Sequence, residues 1–371
     1  MGTKLEVQKY LRSNSLLQLE QEYKIIYKTH SVYSNLILFR YNQLESPFNE
    51  RIVQECRGLI LDSSKNWAVV CYPFNKWFNF GEPNAATIDW STAKVQEKLD
   101  GSLLDLWYYD GNWQVSTSGC PDGLNLINDT GMTFKDLFWE TFKKEQYGVN
   151  GLNLNTTYMF ELTSPFNRVV VDHKESHLTL IGVRNNKTLE EFPTSVVSLG
   201  PDNVLTFMEV LPRVPKQYPL GSIEDCIEAA KHLNPLENEG YVVVDKYFNR
   251  IKIKSPNYII LHHLRDSMSL KRMAEVIRTG EHEELKIALD SYPELKVRFD
   301  ELVGKYKSIV TGCWEHYIAI AGIKDQKEFA EKALQSPYSS VLFAMRKTNK
   351  TPVEIIKGLT GNAYLRLMEV K

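Results

Sequence analysis

The sequence predicts an α+β protein in which an antiparallel-sheet domain, residues 1–262, precedes an all-helical domain, residues 263–371. Between residues 25 and 263 the apolar residues come in short runs rich in β-branched and aromatic types, the composition of half-buried strands. After Pro256 they recur every three or four residues, the spacing of an amphipathic helix. Length agrees, since 371 residues exceed what one core ordinarily organises and two or three domains are expected.

In chain order, the strand candidates are YKIIYKTH (23–30), NLILFRYN (35–42), RGLILD (57–62), NWAVVCYPF (66–74), LLDLWYYDGNWQVSTS (103–118), TYMFEL (157–162), LTLIGV (178–183), GYVVVD (240–245) and RIKIKS (250–255). Asp110-Gly111 is a hairpin turn signal inside the fifth of these. Two helices interrupt the series. FKDLFWETFKKEQYG (134–148) is apolar at 134, 137, 138 and 142 with Gly148 as its stop, and SIEDCIEAAKHL carries Ser222 and Asp225 at its start. The tail reads as helices over 259–280, 283–322, 325–334 and 339–347. A last one opens on a capping box, with Thr351, Pro352 at the first helical position and Glu354.

Composition excludes several classes. Apolar content of 43% and charge of 24% are those of a globular chain. No run approaches the roughly 20 apolar residues of a membrane span, and MGTKLEVQKYLRSNS lacks the apolar stretch of a secretory signal. Gly2 follows Met1, but Leu5 and Glu6 stand where a myristoylation pattern ends in Ser or Thr. A soluble intracellular monomer without a membrane partner is expected. The five cysteines are scattered with no C-x-x-C pair, so buried, reduced thiols are expected in place of zinc ligands or disulfides. His262-His263 is the only histidine pair, and neighbours on a helix point apart, so no metal site is read from it. The net charge of −2 announces no nucleic-acid binder. Residues 263–371 nevertheless carry 18 Lys and Arg against 15 Asp and Glu, so phosphate contacts must come from local clusters.

One lysine stands out. Lys98, in EKLDGS, follows a short strand and precedes a glycine turn, where a side chain is held rigidly and a ligand can approach closely. K-x-D-G alone would occur by chance in roughly 8% of chains this long, and a solvated turn lysine would explain it. The residues downstream change the balance. Glu161 lies within the apolar strand TYMFEL, and Glu239 directly precedes Gly240 and another apolar strand. Lys252 and Lys254 share one face of a strand whose other face carries Ile251 and Ile253. A nucleophile candidate, two carboxylates and two same-face lysines, all at or within strands, form a constellation.

The order K-x-D-G, F-E, E-G-Y-V and K-I-K resembles the signature of covalent nucleotidyltransferases, and the chain is most similar to the phage RNA ligase 1 family. Further marks are ECRGLILD around Arg57, PFNKWFNFGE around Lys76, TSPFNRVVV after Glu161, LIGVRNN at 180–186 and NEGYVVV before IKIKS. The resemblance runs from about residue 35 to 260. It implies an adenylation domain, with its phosphate-gripping segment N-terminal, over 1–262 and an RNA-recognising tail over 263–371. It further implies an ATP-dependent RNA ligase that joins 5′-phosphate and 3′-hydroxyl RNA ends through lysyl-AMP and adenylated RNA. RNA repair is the implied setting, tRNA a candidate substrate, and the host cytoplasm the location if a phage encodes it.

The resemblance also assigns residues. Lys98 matches the lysine that attacks the α-phosphate of ATP. A free lysine, with pKa about 10.4, is protonated near neutrality, so Lys252, Lys254 and Mg²⁺ (Mn²⁺ as the alternative) would supply positive charge to favour the amine and stabilise the phosphate. Glu161 and Glu239 match carboxylates that hold ribose and metal, and Asp100 would orient the loop or contact the metal's water. Gly101 and Gly240 match positions where a side chain would crowd the nucleotide. Arg57 and Lys76 match the grip on the β- and γ-phosphates, with Tyr41, Phe78 and Tyr258 at aromatic positions. Ser118 departs from the family by standing where a lysine is usual. A DNA ligase or capping enzyme shares the lysine chemistry but usually follows its K-I-K strand with a small barrel, which the helical tail argues against. A non-catalytic RNA-binding relative would lack competent residues at these positions.

Overall fold

Alternation of apolar and polar residues along the strands is what buries one face of each sheet and leaves the other for chemistry. The computed structural model describes residues 4–43, 45–128, 130–198, 206–207, 210–264, 269–280, 282–289 and 293–369. The chain divides into two units, Met1–Tyr258 and Ile259–Lys371.

In the first unit, helices Glu6–Leu11 and Leu16–Tyr23 lead into an antiparallel sheet of β1 (Ile25–Thr29), β2 (Leu36–Tyr41), β3 (Arg57–Asp62) and β4 (Ala68–Cys71), in sequence order. The two helices and a short one at Arg51–Glu55 cover one face of that sheet. Then follow β5 (Phe78–Asn79), β6 (Lys94–Lys98), β7 (Ser102–Tyr109), β8 (Asn112–Thr117), β9 (Thr156–Thr163), β10 (His177–Asn185), β11 (Glu191–Phe192), β12 (Gln217–Tyr218), β13 (Gly240–Val244) and β14 (Arg250–Lys254). They form two five-stranded sheets, in the orders β11-β10-β9-β7-β8 and β12-β6-β13-β14-β5. Pairing is antiparallel in both, except that β5 runs parallel to β14.

The hairpin signal holds: Asp110 and Gly111 both take positive φ, +48° and +82°, which lets a two-residue turn follow the strand twist. Helix Phe134–Lys144, capped by Thr133 and Asp136, packs Leu137, Phe138 and Phe142 on the first five-stranded sheet. It ends before the expected Gly148, because Gln146 adopts φ +58° and no helix continues through that conformation. Helix Ile223–Lys231, capped by Ser222, covers the Tyr241, Val243, Ile251 and Ile253 face of the second sheet.

In the second unit the described elements are helical, among them Leu270–Thr279, Pro293–Ile320, Gln326–Leu334, Ser339–Thr348 and Pro352–Gly358. They bury a core that includes Met273, Phe299, Phe329, Leu342 and Tyr364. Two long helices expected here are divided. The first resumes at Leu270, where the Ser269 hydroxyl accepts from the Arg272 N–H, and the second resumes at Pro293. Thr351 and Glu354 form the expected capping box. Among the described residues no helix is long and apolar enough to cross a membrane. All five cysteines are buried and unpaired.

Candidate active site

Lys98 ends β6 opposite Gly240 of β13, and Gly240 pairs in turn with Lys254 of β14. Cross-strand partners share a face, so the two lysines rise side by side over the glycine. Buried Glu239 joins them, with Oε2 2.6 Å from Lys98 Nζ and Oε1 3.4 Å from Lys254 Nζ. Lys98 keeps 18% of its side-chain exposure, enough to be reached.

Lys252 is the next residue on that face, across from Val242 and, beyond it, Gln96. Desolvation first, then the like charges of Lys254, Lys76, Lys98 and Arg57, push its pKa down to about 7. The Lys76 ammonium sits 5.1, 5.0 and 5.6 Å from the ring centres of Tyr41, Phe48 and Phe78, a cage that holds the cation without neutralising it. The Arg57 guanidinium lies 5.6 Å from the centre of the Trp77 ring, and its buried Nη1 has no hydrogen-bond partner among the described residues. A bulge where Arg40 faces Arg57 sets the direction of this strand end.

Glu161 comes from the facing sheet. With Lys98, Trp77, Ile181, Gln96 and Val242 it lines a cavity of about 50 Å³. Burial pushes its carboxyl up to about 7, opposed by Lys98 and reinforced by Glu239. A carboxyl so placed gains from an incoming cation. The pair Glu161 and Glu239 thus suits a divalent ion that takes one or two carboxylates and completes its shell with phosphate and water.

Of the two roles expected for Asp100, its hydrogen bonds fit the one that orients the loop. Its Oδ2 accepts from the N–H groups of Val170 (2.9 Å) and Val171 (2.7 Å), and its Oδ1 accepts from the Tyr258 hydroxyl (2.7 Å). With that acceptor capacity committed, Asp100 anchors the lysine loop to the TSPFNRVVV segment. Asn167 adds a second tie by donating to Ser102 Oγ at 3.0 Å. Among the described residues no three His, Cys, Asp or Glu side chains gather as a metal cage; the His263 side chain lies outside those residues. Tyr258 is buried as part of this anchor and not laid open for a nucleotide.

The two glycines also have a different reason from the expected one. A Cβ on Gly101 would stand 2.4 Å from the Leu162 carbonyl oxygen, and one on Gly240, where φ is +151°, 2.2 Å from that of Ile253. Strand packing, before any nucleotide, forbids a side chain there. Ser118 packs its Cα over Gly58, next to Arg57, and brings no charge.

Tyr41, Arg57, Lys76, Phe78, Lys98, Glu161, Glu239, Lys252 and Lys254 are therefore brought into one cluster, linked by the contacts and charges above. Four participants escape sequence reasoning. Phe48 comes from an irregular loop and left no signal. Trp77 was hidden among the aromatics of KWFNF. Arg250 continues the period-two ladder of Lys252 and Lys254, a signal that was present. Asp105 is fully buried, with both carboxyl oxygens unpartnered among the described residues and its pKa pushed well up by burial.

Among known proteins, residues 55–258 match the family described as RNA ligase. A protein named as a bifunctional polynucleotide kinase/RNA ligase from Autographa californica nuclear polyhedrosis virus is 29% identical over 372 residues, spanning 94% of this chain and 51% of the viral protein. The RNA ligase of Rhodothermus phage RM378 is 29% identical over 335 residues, 75% of this chain and 73% of that one. The chain thus spans about half the length of the baculovirus relative. An archaeal ATP-dependent RNA ligase structure aligns with 77% of this chain and 74% of its own at 14% identity, with a TM-score of 0.43.

Proposed function

Since the chain belongs to the phage RNA ligase 1 family, we propose that it is an ATP-dependent RNA ligase that carries AMP on Lys98. The observation that carries the reading is the convergence of Glu239, Glu161, Lys254, Lys252, Lys76 and Arg57 on one reachable lysine. Five cations against two carboxylates suit a polyphosphate. The cavity beside Lys98, walled by Ile181 and Val242, suits the edge of a purine.

In the first step the Lys98 amine attacks the α-phosphorus. A P–N bond forms, the bond to the β-phosphate oxygen breaks, and pyrophosphate departs with the electron pair. Glu239 holds the ammonium at 2.6 Å; the ammonium must leave it and give one proton to solvent before the amine can attack, and the nitrogen sheds a second proton to solvent or the departing pyrophosphate as the P–N bond forms. Lys252 and Lys254 face the phosphate, where fixed positive charge stabilises the developing negative charge. Arg57 and Lys76 orient the leaving pyrophosphate. Glu161 and Glu239 would hold a divalent ion, Mg²⁺ or Mn²⁺, which when bound supplies further charge to the phosphates. The 5′-phosphate of RNA then displaces Lys98 from AMP, and a 3′-hydroxyl displaces AMP to close the phosphodiester. The second unit, with its surplus of Lys and Arg, recognises the shape of the RNA, in the manner of RNA repair and with tRNA as a candidate.

Incubation with ATP labelled at the α- or γ-phosphate tests this directly. The folded protein should retain only the α label covalently, and Lys98→Ala should retain none. Label persisting on Lys98→Ala would overturn the assignment.

A further inference from the structure

The cation ladder continues to Arg250, which with Phe74 and Trp77 also lines the Lys98 cavity. Arg250 shares the face of Lys252 and Lys254 and points to a second cavity, of about 160 Å³, which it lines with Arg51, Lys76, Trp77, Arg184 and Glu191. Four cations line it against one carboxylate, with Arg51 also paired to Glu55 behind the lining at 3.4 Å, so the lining is net positive. Glu191 is bound from both sides, by Arg184 Nη2 at 2.8 Å and Arg250 Nη2 at 2.5 Å, so one carboxylate is shared by two guanidinium groups. Arg184 is only 7% exposed, and its Nε has no acceptor among the described residues. The Trp77 indole N–H on the same lining likewise has none. Tyr72 lies under Arg184 at 4.3 Å and Phe74 under Arg250 at 4.7 Å, which fixes both guanidinium planes. Buried donors without acceptors are costly, and an oxyanion in this cavity would satisfy them.

We propose that this cavity is a second phosphate subsite, built by Arg184 and Arg250 with Arg51 at its rim, contiguous with the lysine cluster through Lys76 and Trp77. The ligand chemistry is a phosphate oxyanion. Its sources are the tail of ATP, with the pyrophosphate that leaves it, or the 5′-phosphorylated end of the RNA. Placement beside the reaction rests on reading Lys98 as the AMP acceptor, whereas the anion subsite itself does not. Planar, bidentate donors are the groups that recognise phosphate by geometry as well as by charge.

The test is calorimetric binding of inorganic pyrophosphate to the full chain, wild type against Arg184→Gln and Arg51→Gln. Arg184→Gln leaves Glu191 half-paired and could fail to fold; Arg51 is surface-exposed and pairs with buried Glu55 at 3.4 Å, so Arg51→Gln, which keeps a donor for Glu55, keeps the test open. Loss of a charge-assisted contact should weaken pyrophosphate binding by roughly tenfold or more in each folded variant. Kinetics then separate the sources. If the ATP tail occupies the subsite, the ATP concentration needed for self-adenylation rises in step, while AMP transfer from pre-adenylated protein to 5′-phosphorylated RNA is unchanged. If the RNA end occupies it, the effects exchange places. Unchanged pyrophosphate affinity in both variants overturns the proposal. A wild-type protein that binds pyrophosphate in this way but never takes the α label would keep the subsite and sink the ligase reading.

Discussion

Nucleotide affinity should fall as pH rises above 7, and Lys252→Arg should remove that dependence. Burial and four neighbouring cations bring Lys252 to a pKa of about 7, down from 10.5. Above pH 7 the empty site therefore holds Lys252 increasingly neutral. A bound polyphosphate favours the ammonium, so binding must draw a proton from solvent. Restoring that proton costs about 1.4 kcal/mol for each pH unit above the free-site pKa, which is roughly a tenfold loss of affinity per unit. Below pH 7 the lysine is already charged and adds no further pH dependence of its own. The same linkage acts on folding: the native chain holds fewer protons than the unfolded one between pH 7 and 10.5, so this residue's contribution to stability rises with pH across that window. The assay is titration calorimetry with an α,β-methylene analogue of ATP between about pH 6.5 and 9, in two buffers of different ionisation enthalpy, the range being set by the linkage above. Proton uptake approaching one per site is expected near the alkaline end. Lys252→Arg keeps its charge throughout and should lose the proton uptake and the slope that Lys252 supplies, leaving only the dependence due to Glu161, at an affinity altered by its different reach. A wild-type affinity that does not change above pH 7, or a Lys252→Arg slope equal to wild type, would refute the reasoning.

Other expectations concern different residues. Glu161, held near 7 by burial, is protonated below that pH and cannot then serve a metal, so single-turnover self-adenylation should rise through an acidic limb centred near 7. Glu161→Gln should lose that limb and slow the step by about a hundredfold; a wild-type rate that is level below pH 7 would count against the role. Tyr258→Phe removes the hydroxyl that donates to Asp100 at 2.7 Å. Melting should show a loss of about 1–2 kcal/mol, with slower adenylation but the label still on Lys98. A chain ending at residue 264 should self-adenylate at the full-length rate yet lose its preference among structured RNAs. Equal preference before and after truncation would remove the second unit from recognition.

How much of this was legible depends on the range of the interaction. The strand ladder in RIKIKS needs only the period-two rule, and the same rule extends to Arg250. The capping box at Thr351 is a three-residue event and reads directly; the one at Thr133 is equally local and passed unread. Helix length was less legible, because the conformation of Gln146 and the restart at Pro293 depend on how each segment packs. Asp100 was half legible: two roles were open to it, and its hydrogen bonds fit the one that orients the loop. Its acceptors are used by N–H groups 70 and 71 residues away and by a hydroxyl 158 residues away. Nothing local distinguishes a carboxylate that anchors a loop from one that awaits a metal. Gly101 and Gly240 were marked correctly as positions that exclude a side chain. The excluding atoms, however, are carbonyl oxygens of neighbouring strands that only the register brings near.

The titration behaviour of the cluster explains how such a site exists before its ligand arrives. Five cations around a half-buried cleft should repel one another, and one of them, Lys252, relieves the repulsion by giving up its proton near neutrality. On the facing sheet Glu161 does the converse, its burial favouring the uncharged acid near the same pH. The remaining opposite charges are tied directly, Glu239 with Lys98 and Lys254. The empty site thus carries fewer charges than its residue list suggests, and the fold is spared the cost of burying them unpaired. A divalent ion would favour ionised Glu161, and polyphosphate would favour protonated Lys252, so each ligand charges the residue that binds it. Competition for Glu239 would at the same time loosen its hold on Lys98. With Lys98 as the proposed AMP acceptor, the amine would become free as the metal and nucleotide arrive, and adenylation and ligand binding would share one electrostatic transition.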